Sequence, residues 1–414
     1  MHFCPVLFCM KLQDLHQNNS FIYLERWVNV PKYSKTAQYS EIRKRYHPRF
    51  GAARFHLPIF SLHKSDVEIY KAKPDKQMLA QVLDGNRVTF YCHPDQRNEF
   101  AKNKGFTVPA GFMPVSPTSS TRTVLAEGAA RFMVKLHLNK KISRFVRRLT
   151  RSSIIHSVQI SRECEKITKD KNCPKEFAYF PESIGVVHKR LGVGYLIREF
   201  VPRPIIQEKR FLIPFFALYS KDQFHPEDLP LLGQMISAQQ AHAPLEYFEK
   251  KILTPFIQCW AFAFTKYGLL FESHAQNTLL EVDEHGNPCR IVQRDFQSIP
   301  IDPDIRAQQK LPNHFKKHVI GREDYPKLLE HSLLYDHFVC DYLFGSFVTF
   351  FEEYYGISKD DFYATAKRVY RMFIGKETER AFFPKGHVTF GESTTDNVVP
   401  LLYLHENPLG RPSY

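Results

Sequence analysis

Phe177-Ala-Tyr-Phe-Pro-Glu-Ser-Ile-Gly-Val-Val187, followed by Gly194-Tyr-Leu-Ile-Arg-Glu-Phe-Val201, is the part of the chain that decides its architecture. Both runs are short and rich in aromatic and β-branched residues, and both read as strands. Upstream, Arg87–Tyr91 reads as a strand leading into Cys92-His-Pro-Asp-Gln96, and Arg131–Leu138 alternates like another. Downstream, Phe211–Ser220 is a further strand, and together these segments form an antiparallel sheet. Ser143 to about Lys169 is expected as a helix, with Ser143 as N-cap and Phe145, Val146, Leu149 and Ile154 on its apolar side. The remainder reads mainly as helix over 229–240, 245–267, 326–354 and 359–373, broken only by a hairpin that runs from the extended Glu272–Asn277 through a turn at Asp283–Pro288 to Arg294-Asp295. The expected class is α+β: a central antiparallel sheet region, then a mainly helical C-terminal domain. Three parts follow: an N-terminal extension without periodicity (1–40), a mixed α/β region (41–225) and a helical region (226–414).

Length and composition bound the function. The chain has 414 residues, 43% of them hydrophobic and 14% aromatic, enough for a large core. Its most apolar run, Phe256–Phe271, is broken by Gln258, Thr265 and Lys266, short of the roughly 18 residues a membrane span needs. The start is apolar but lacks a basic leader, so the chain reads as cytosolic rather than secreted. The eight cysteines form no CxxC pair, which fits reduced, buried thiols. The net charge of +14 is concentrated: no Asp or Glu occurs from Gly128 to Arg162, whereas Arg131, Lys135, Lys140, Lys141, Arg144, Arg147, Arg148, Arg151 and Arg162 do. Such a block is a solvated face or an anion site. No nucleic-acid motif accompanies it, so neither nucleic acid nor membrane is an expected partner.

The chemistry concentrates elsewhere. Glu272-Ser-His-Ala-Gln-Asn-Thr278, with Arg294-Asp295 after a polar hairpin, gathers acid, base, amide and guanidinium in a short span. In an extended chain Glu272, His274 and Gln276 would share one face. Carboxylates with Asn and Gln oxygens suit Mg²⁺ carrying a phosphate chain. The second cluster is Pro117-Thr-Ser-Ser-Thr-Arg-Thr123, followed by Lys135 on a strand and Arg147 on the expected helix. Hydroxyls, backbone amides and converging cations suit a triphosphate, although neither a Walker loop nor a GxGxxG is present.

In their order these elements resemble the siderophore synthetases that work independently of nonribosomal peptide synthetases, of the aerobactin-synthetase type. The resemblance rests on Ser119-Ser-Thr-Arg-Thr123, the strand with Lys135, Arg147, His274-Ala-Gln-Asn277 and Arg294-Asp295. Cys92-His93-Pro94-Asp95-Gln96 is similar to that family's HPWQ element, and Glu406-Asn-Pro-Leu409 to its NPL. It implies a hand-like architecture of fingers and palm, and ATP-dependent activation of citrate, a citrate derivative or 2-oxoglutarate as an acyl adenylate, which an amine or alcohol then captures. It implies catalytic roles for Arg147, His274 and Lys135, and nucleotide contacts from Ser120, Arg122, Thr123, Lys135, Gln276 and Asn277. It further implies Mg²⁺ ligation by Glu272, Asn277 and Asp295, and it admits a homodimer. The family's HPxHPxxK element has no counterpart in residues 1–45, where Val30-Pro31-Lys32 is the nearest remnant, and full-length members carry a larger N-terminal subdomain.

Two other readings stay open. A small-molecule kinase also uses His-x-x-Asn followed by Asp, but Gln276 stands where its base would be, and an amide accepts no proton. An ATP-binding pseudoenzyme of the same family is the non-catalytic alternative.

Overall fold

Burial along Phe55–His63 alternates on either side of Pro58, where the phase slips by one residue, as in a strand with one covered face that turns along its length. In the computed structural model this strand lies within a nine-stranded sheet. Its order is 67–71, 182–188, 194–199, 132–136, 123–126, 111–117, 55–63, 87–91 and 83–84. Every pairing in it is antiparallel. The structure describes residues 10–29, 40–128, 131–142, 145–321, 331–383, 387–390, 402–405 and 408–412.

The sheet curls on itself. Tyr195 packs edge-on against Phe90 and Tyr91 and donates its hydroxyl to the Thr89 carbonyl, although four strands separate the two segments in the sheet. The inside of the curl is an apolar core containing Val88, Phe90, Val124, Phe132, Val134, Leu136, Tyr195 and Ile197. Outside it, helix Arg151–Ile167 covers one part through Ile154 and Val158. Helix Ser20–Trp27 covers another through Phe21 and Ile22, which meet Leu125 and Met133. A second sheet runs in the order Phe177–Tyr179, Pro288–Gln293, Thr278–Val282, Phe211–Pro214, with one parallel pairing at 177–179. Helices Leu231–Ala238, Thr254–Tyr267, Gly345–Tyr355 and Lys359–Phe373 build the largest core around Trp260, Phe264, Tyr335, Phe347 and Phe362.

The α+β class holds, with an antiparallel sheet first and helices after it. Several local expectations change. Phe177–Val187 is two strands in different sheets. Pro181 has no N–H to donate, and on either side of it Phe180 N bonds the Gln293 carbonyl of the second sheet while Glu182 pairs with Arg198 in the first. Phe211–Ser220 is a strand only to Pro214 and then a helical turn, Phe215–Tyr219. The helix after the basic block starts at Arg151, capped by the Thr150 side chain accepting from Ser153 N. Arg147 therefore precedes the helix, and Ser143 lies outside the described residues, as do Val30-Pro31-Lys32, Glu406 and Asn407. A two-stranded ribbon, His387–Phe390 with Leu402–His405, also interrupts the helical region.

Within the N-terminal extension, residues 20–27 form a helix, all eight of them buried. The strands of the second sheet come from both sides of position 225, so the hydrogen-bonded structure crosses that boundary. No helix among the described residues is long and apolar enough to cross a membrane.

Candidate active site

Strand pairing explains why cations gather. On Phe132–Leu136, residues 132, 134 and 136 enter the curled core, so Met133 and Lys135 face the other way. Lys135 sits opposite Thr123 on one neighbouring strand and Leu196 on the other. Arg198, two residues beyond Leu196, takes the same face, and Glu182 is its cross-strand partner. Thr123, Lys135 and Arg198 thus stand side by side on the outer face of the first sheet, toward the end of the second.

Asp295 closes that face. It follows strand Pro288–Gln293 with a left-handed backbone, φ 71°, tolerable for Asp because a short polar side chain relieves the cost. Its carboxylate forms an ion pair with the buried Lys135 ammonium and lies 3.9 Å from Arg198, whose guanidinium also meets Glu182 at 2.5 Å. Burial opposes the charge on Asp295, but Lys135, Arg198 and Arg122 outweigh it and hold the carboxyl well below the usual carboxylate range. Burial likewise pushes Lys135 down, with Asp295 working against the shift, and lowers Arg122 to about 10.

The loop 117–123 is tight. Thr118 Oγ1 donates to the Thr123 carbonyl at 2.7 Å, the Ser120 hydroxyl accepts from Thr123 N at 3.1 Å, and Thr121 has φ 67°. Thr123 Oγ1 is buried with no hydrogen-bond partner among the described residues. Arg122 is committed within the protein: Nη1 donates to the Arg147 carbonyl at 2.9 Å and Nη2 to Gln297 at 2.6 Å.

Arg147 follows a two-stranded arm, Lys141–Ile142 with Phe145–Val146. Its own N–H bonds Lys140 O at 3.1 Å, and its carbonyl accepts from Leu138 N at 3.2 Å. Burial lowers its pKa while Asp295 and then Glu272 oppose the shift, so both carboxylates lie within its electrostatic reach.

Glu272–Asn277 is a turn rather than a strand; the strand begins at Thr278. The alternation expected for Glu272, His274 and Gln276 therefore does not apply. His274 N bonds Glu272 O and Asn277 N bonds His274 O, folding the segment back on itself. His274 Nδ1 accepts from Gln276 N at 3.2 Å, which leaves the proton of the neutral ring on Nε2. Burial lowers its pKa to about 4, with Asp295 opposing and Arg294 and Arg147 reinforcing, so the ring is neutral near pH 7. Gln276 donates to Ser119 Oγ at 3.2 Å, Glu272 accepts from Ser298 at 2.9 Å, and Asn277 is buried.

Lys135, Arg122, Arg147 and His274 all act electrostatically on Asp295 or respond to it. With Arg198 matched by Glu182, the remaining cations Lys135, Arg122 and Arg147 exceed Asp295 and Glu272 by one charge. That arrangement attracts an anion. A surface cavity of about 490 Å³ between Pro244–Glu246 and Ile357–Thr365 has only the carboxylates Glu246 and Asp361 as charged lining, which is no place for a phosphate. Sequence reading missed Arg198, Glu182, Gln297 and Glu25. For the three charged residues the signal was absent because a buried charge is recognised only with its partner, and Gln297 is a neutral amide whose role depends on Arg122.

Comparison with known proteins gives the class first. The fold is that of solved siderophore synthetases: aerobactin synthetase IucC from a hypervirulent pathotype of Klebsiella pneumoniae aligns with TM-score 0.69 and 16% identity, covering 92% of this chain and 75% of that one. ATP-bound aerobactin synthetase IucA from the same source aligns with TM-score 0.63 and 16% identity, covering 86% and 72%. Residues 27–220 match the model of the IucA / IucC family. Residues 251–407 match a second model, described as a ferric iron reductase FhuF-like transporter.

Two curated proteins of Staphylococcus aureus (strain NCTC 8325 / PS 47) are similar. One is a 2-[(L-alanin-3-ylcarbamoyl)methyl]-3-(2-aminoethylcarbamoyl)-2-hydroxypropanoate synthase, 26% identical over 41% of this chain. The other is an L-2,3-diaminopropanoate–citrate ligase, 25% identical over 48% of it. The matches span 27% and 36% of those proteins.

Proposed function

We propose that the chain is an ATP-dependent carboxylate–amine ligase of siderophore biosynthesis, acting in the cytoplasm on citrate, a citrate derivative or 2-oxoglutarate. The observation that carries this reading is the convergence of Lys135, Arg122 and Arg147 on Asp295 beside a neutral His274. A carboxylate oxygen attacks the α-phosphorus of ATP, the bond to the β-phosphate oxygen breaks, and pyrophosphate leaves. The acyl adenylate then loses AMP as an amine or alcohol forms the new acyl bond. Both steps build negative charge at one centre, which preorganised cations stabilise most.

Lys135 and Arg147 would meet the phosphates, with the Ser120 and Thr123 hydroxyls lining the loop. Arg122 holds the Arg147 carbonyl and adds its field. His274 would donate from Nε2 to the reacting carboxyl. Gln276 and Asn277 border the nucleotide. The donor set also fits Mg²⁺: Asp295, Glu272 and the Asn277 amide offer hard oxygens, and an ion held by two carboxylates completes its shell with water and phosphate. The metal would supply charge neutralisation at the phosphates.

Incubation with ATP and a panel of acids tests the reading. The expected result is acid-dependent exchange of labelled pyrophosphate into ATP. Formation of ADP instead would remove the ligase, and nucleotide binding without turnover across acids and amines would leave a pseudoenzyme.

A further inference from the structure

Glu25, on helix Ser20–Trp27, has a side chain with 0% exposure. A carboxylate withdrawn from water is tolerated only where charges and hydrogen bonds replace the solvent. Glu25 has both. Oε2 accepts from Ser119 N at 3.0 Å and from Ser119 Oγ at 2.5 Å, and Oε1 lies 2.6 Å from Arg294 Nη1. Arg294 Nε donates to the Gln276 carbonyl at 2.7 Å, and Gln276 Nε2 donates to the same Ser119 hydroxyl at 3.2 Å.

These contacts close a ring, Glu25–Arg294–Gln276–Ser119, that joins helix 20–27, the loop at 118–123, the turn at 272–277 and the end of strand 288–293. Two are the halves of the candidate site, the loop at 118–123 and the turn at 272–277. The loop needs an external hold, because Thr121 is β-branched and yet sits at φ 67°. The Ser119 amide, two residues before that strained position, bonds to Glu25.

We infer that Glu25 is a positioning residue that fixes the spacing between the 118–123 loop and the 272–277 turn and so preforms the anion site. The ligand's identity as a nucleotide rests on the function proposed above; the coupling of the two segments does not.

Amide hydrogen exchange on the whole chain, with and without Mg·ATP, separates the two. In Glu25→Gln and in Ser119→Ala, exchange of the backbone amides at positions 119 and 121 should quicken about tenfold or more, while strand Phe132–Leu136 keeps its protection. Glu25→Asp, which keeps the charge but shortens the reach, should fall between them and the parent. In steady state, KM for ATP should rise more than kcat falls. Ser119→Ala exposes no buried charge, so it carries the test if Glu25→Gln fails to fold. Unchanged exchange at these amides in Ser119→Ala and in a folded Glu25 variant would overturn the inference. Loosened exchange in the variants with no Mg·ATP protection in the parent supports the coupling and overturns the nucleotide reading.

Discussion

Arg147 is pinned through its main chain. Its N–H and carbonyl bond Lys140 and Leu138, and Arg122 adds a third contact at the carbonyl, so the backbone from which the side chain springs is fixed. A group placed in that way is ready for charge that appears only during reaction. Arg147→Ala should therefore lower kcat about 10²–10³-fold while nucleotide affinity, read by calorimetry, changes only a few-fold; equal losses in both would argue against the role. Residue types were readable here and their geometry was not. The acid, imidazole and amide types of Glu272–Asn277 announced a site, but the face-sharing of an extended strand was the wrong geometry for a turn. Glu25 was illegible because its Ser119 partner lies 94 residues away, and an isolated Glu on a helix looks like any solvated one.

Between elements, the contact of helix Arg151–Ile167 with the first sheet depends on Gly185. A Cβ there would overlap the Ile154 Cγ2 methyl and approach Val158 Cγ2 at 3.3 Å. Gly185→Ala should cost about 1–3 kcal/mol through overpacking, measured by urea unfolding. Combined with Ile154→Ala, the total loss should fall short of the sum of the two single losses; strict additivity of the two would show that this contact is not the cause. The strand carrying Gly185 also carries Glu182, the partner of Arg198, so a shifted helix should disturb the cation cluster as well. Strands with clear alternation and a long amphipathic helix were legible: Arg87–Tyr91 and Lys359–Phe373 occur at the expected bounds. Phe211–Ser220 was not, because a short apolar run has no period that separates strand from helix, and Pro214 starts a helical turn there.

Across the whole molecule, buried histidines set the response to acid. His93, His137 and His156 are almost fully enclosed, and burial lowers each to about 4. In the unfolded chain they titrate near 6.5. Between pH 6.5 and 4 the unfolded state therefore binds more protons, and stability falls as pH falls, by up to about 1.4 kcal/mol per unit for each group. Above about pH 6.5 this contribution is complete and flat. Asp295 behaves separately: its carboxyl is held low, so its contribution is lost only below about pH 4. Urea midpoints should drop clearly from pH 7 to pH 5; equal midpoints would contradict the burial of these rings.

The ion pair between Lys135 and Asp295 joins residues 160 positions apart. A ribosome that has just finished the Lys135 strand must add those residues before the counter-charge exists. Until then a lysine destined for burial has to stay hydrated, and strand 132–136 cannot settle fully into its final environment. Ligand capture should accordingly be among the last properties a growing chain acquires, and arrested nascent chains ending before residue 295 should show no retention on immobilised ATP.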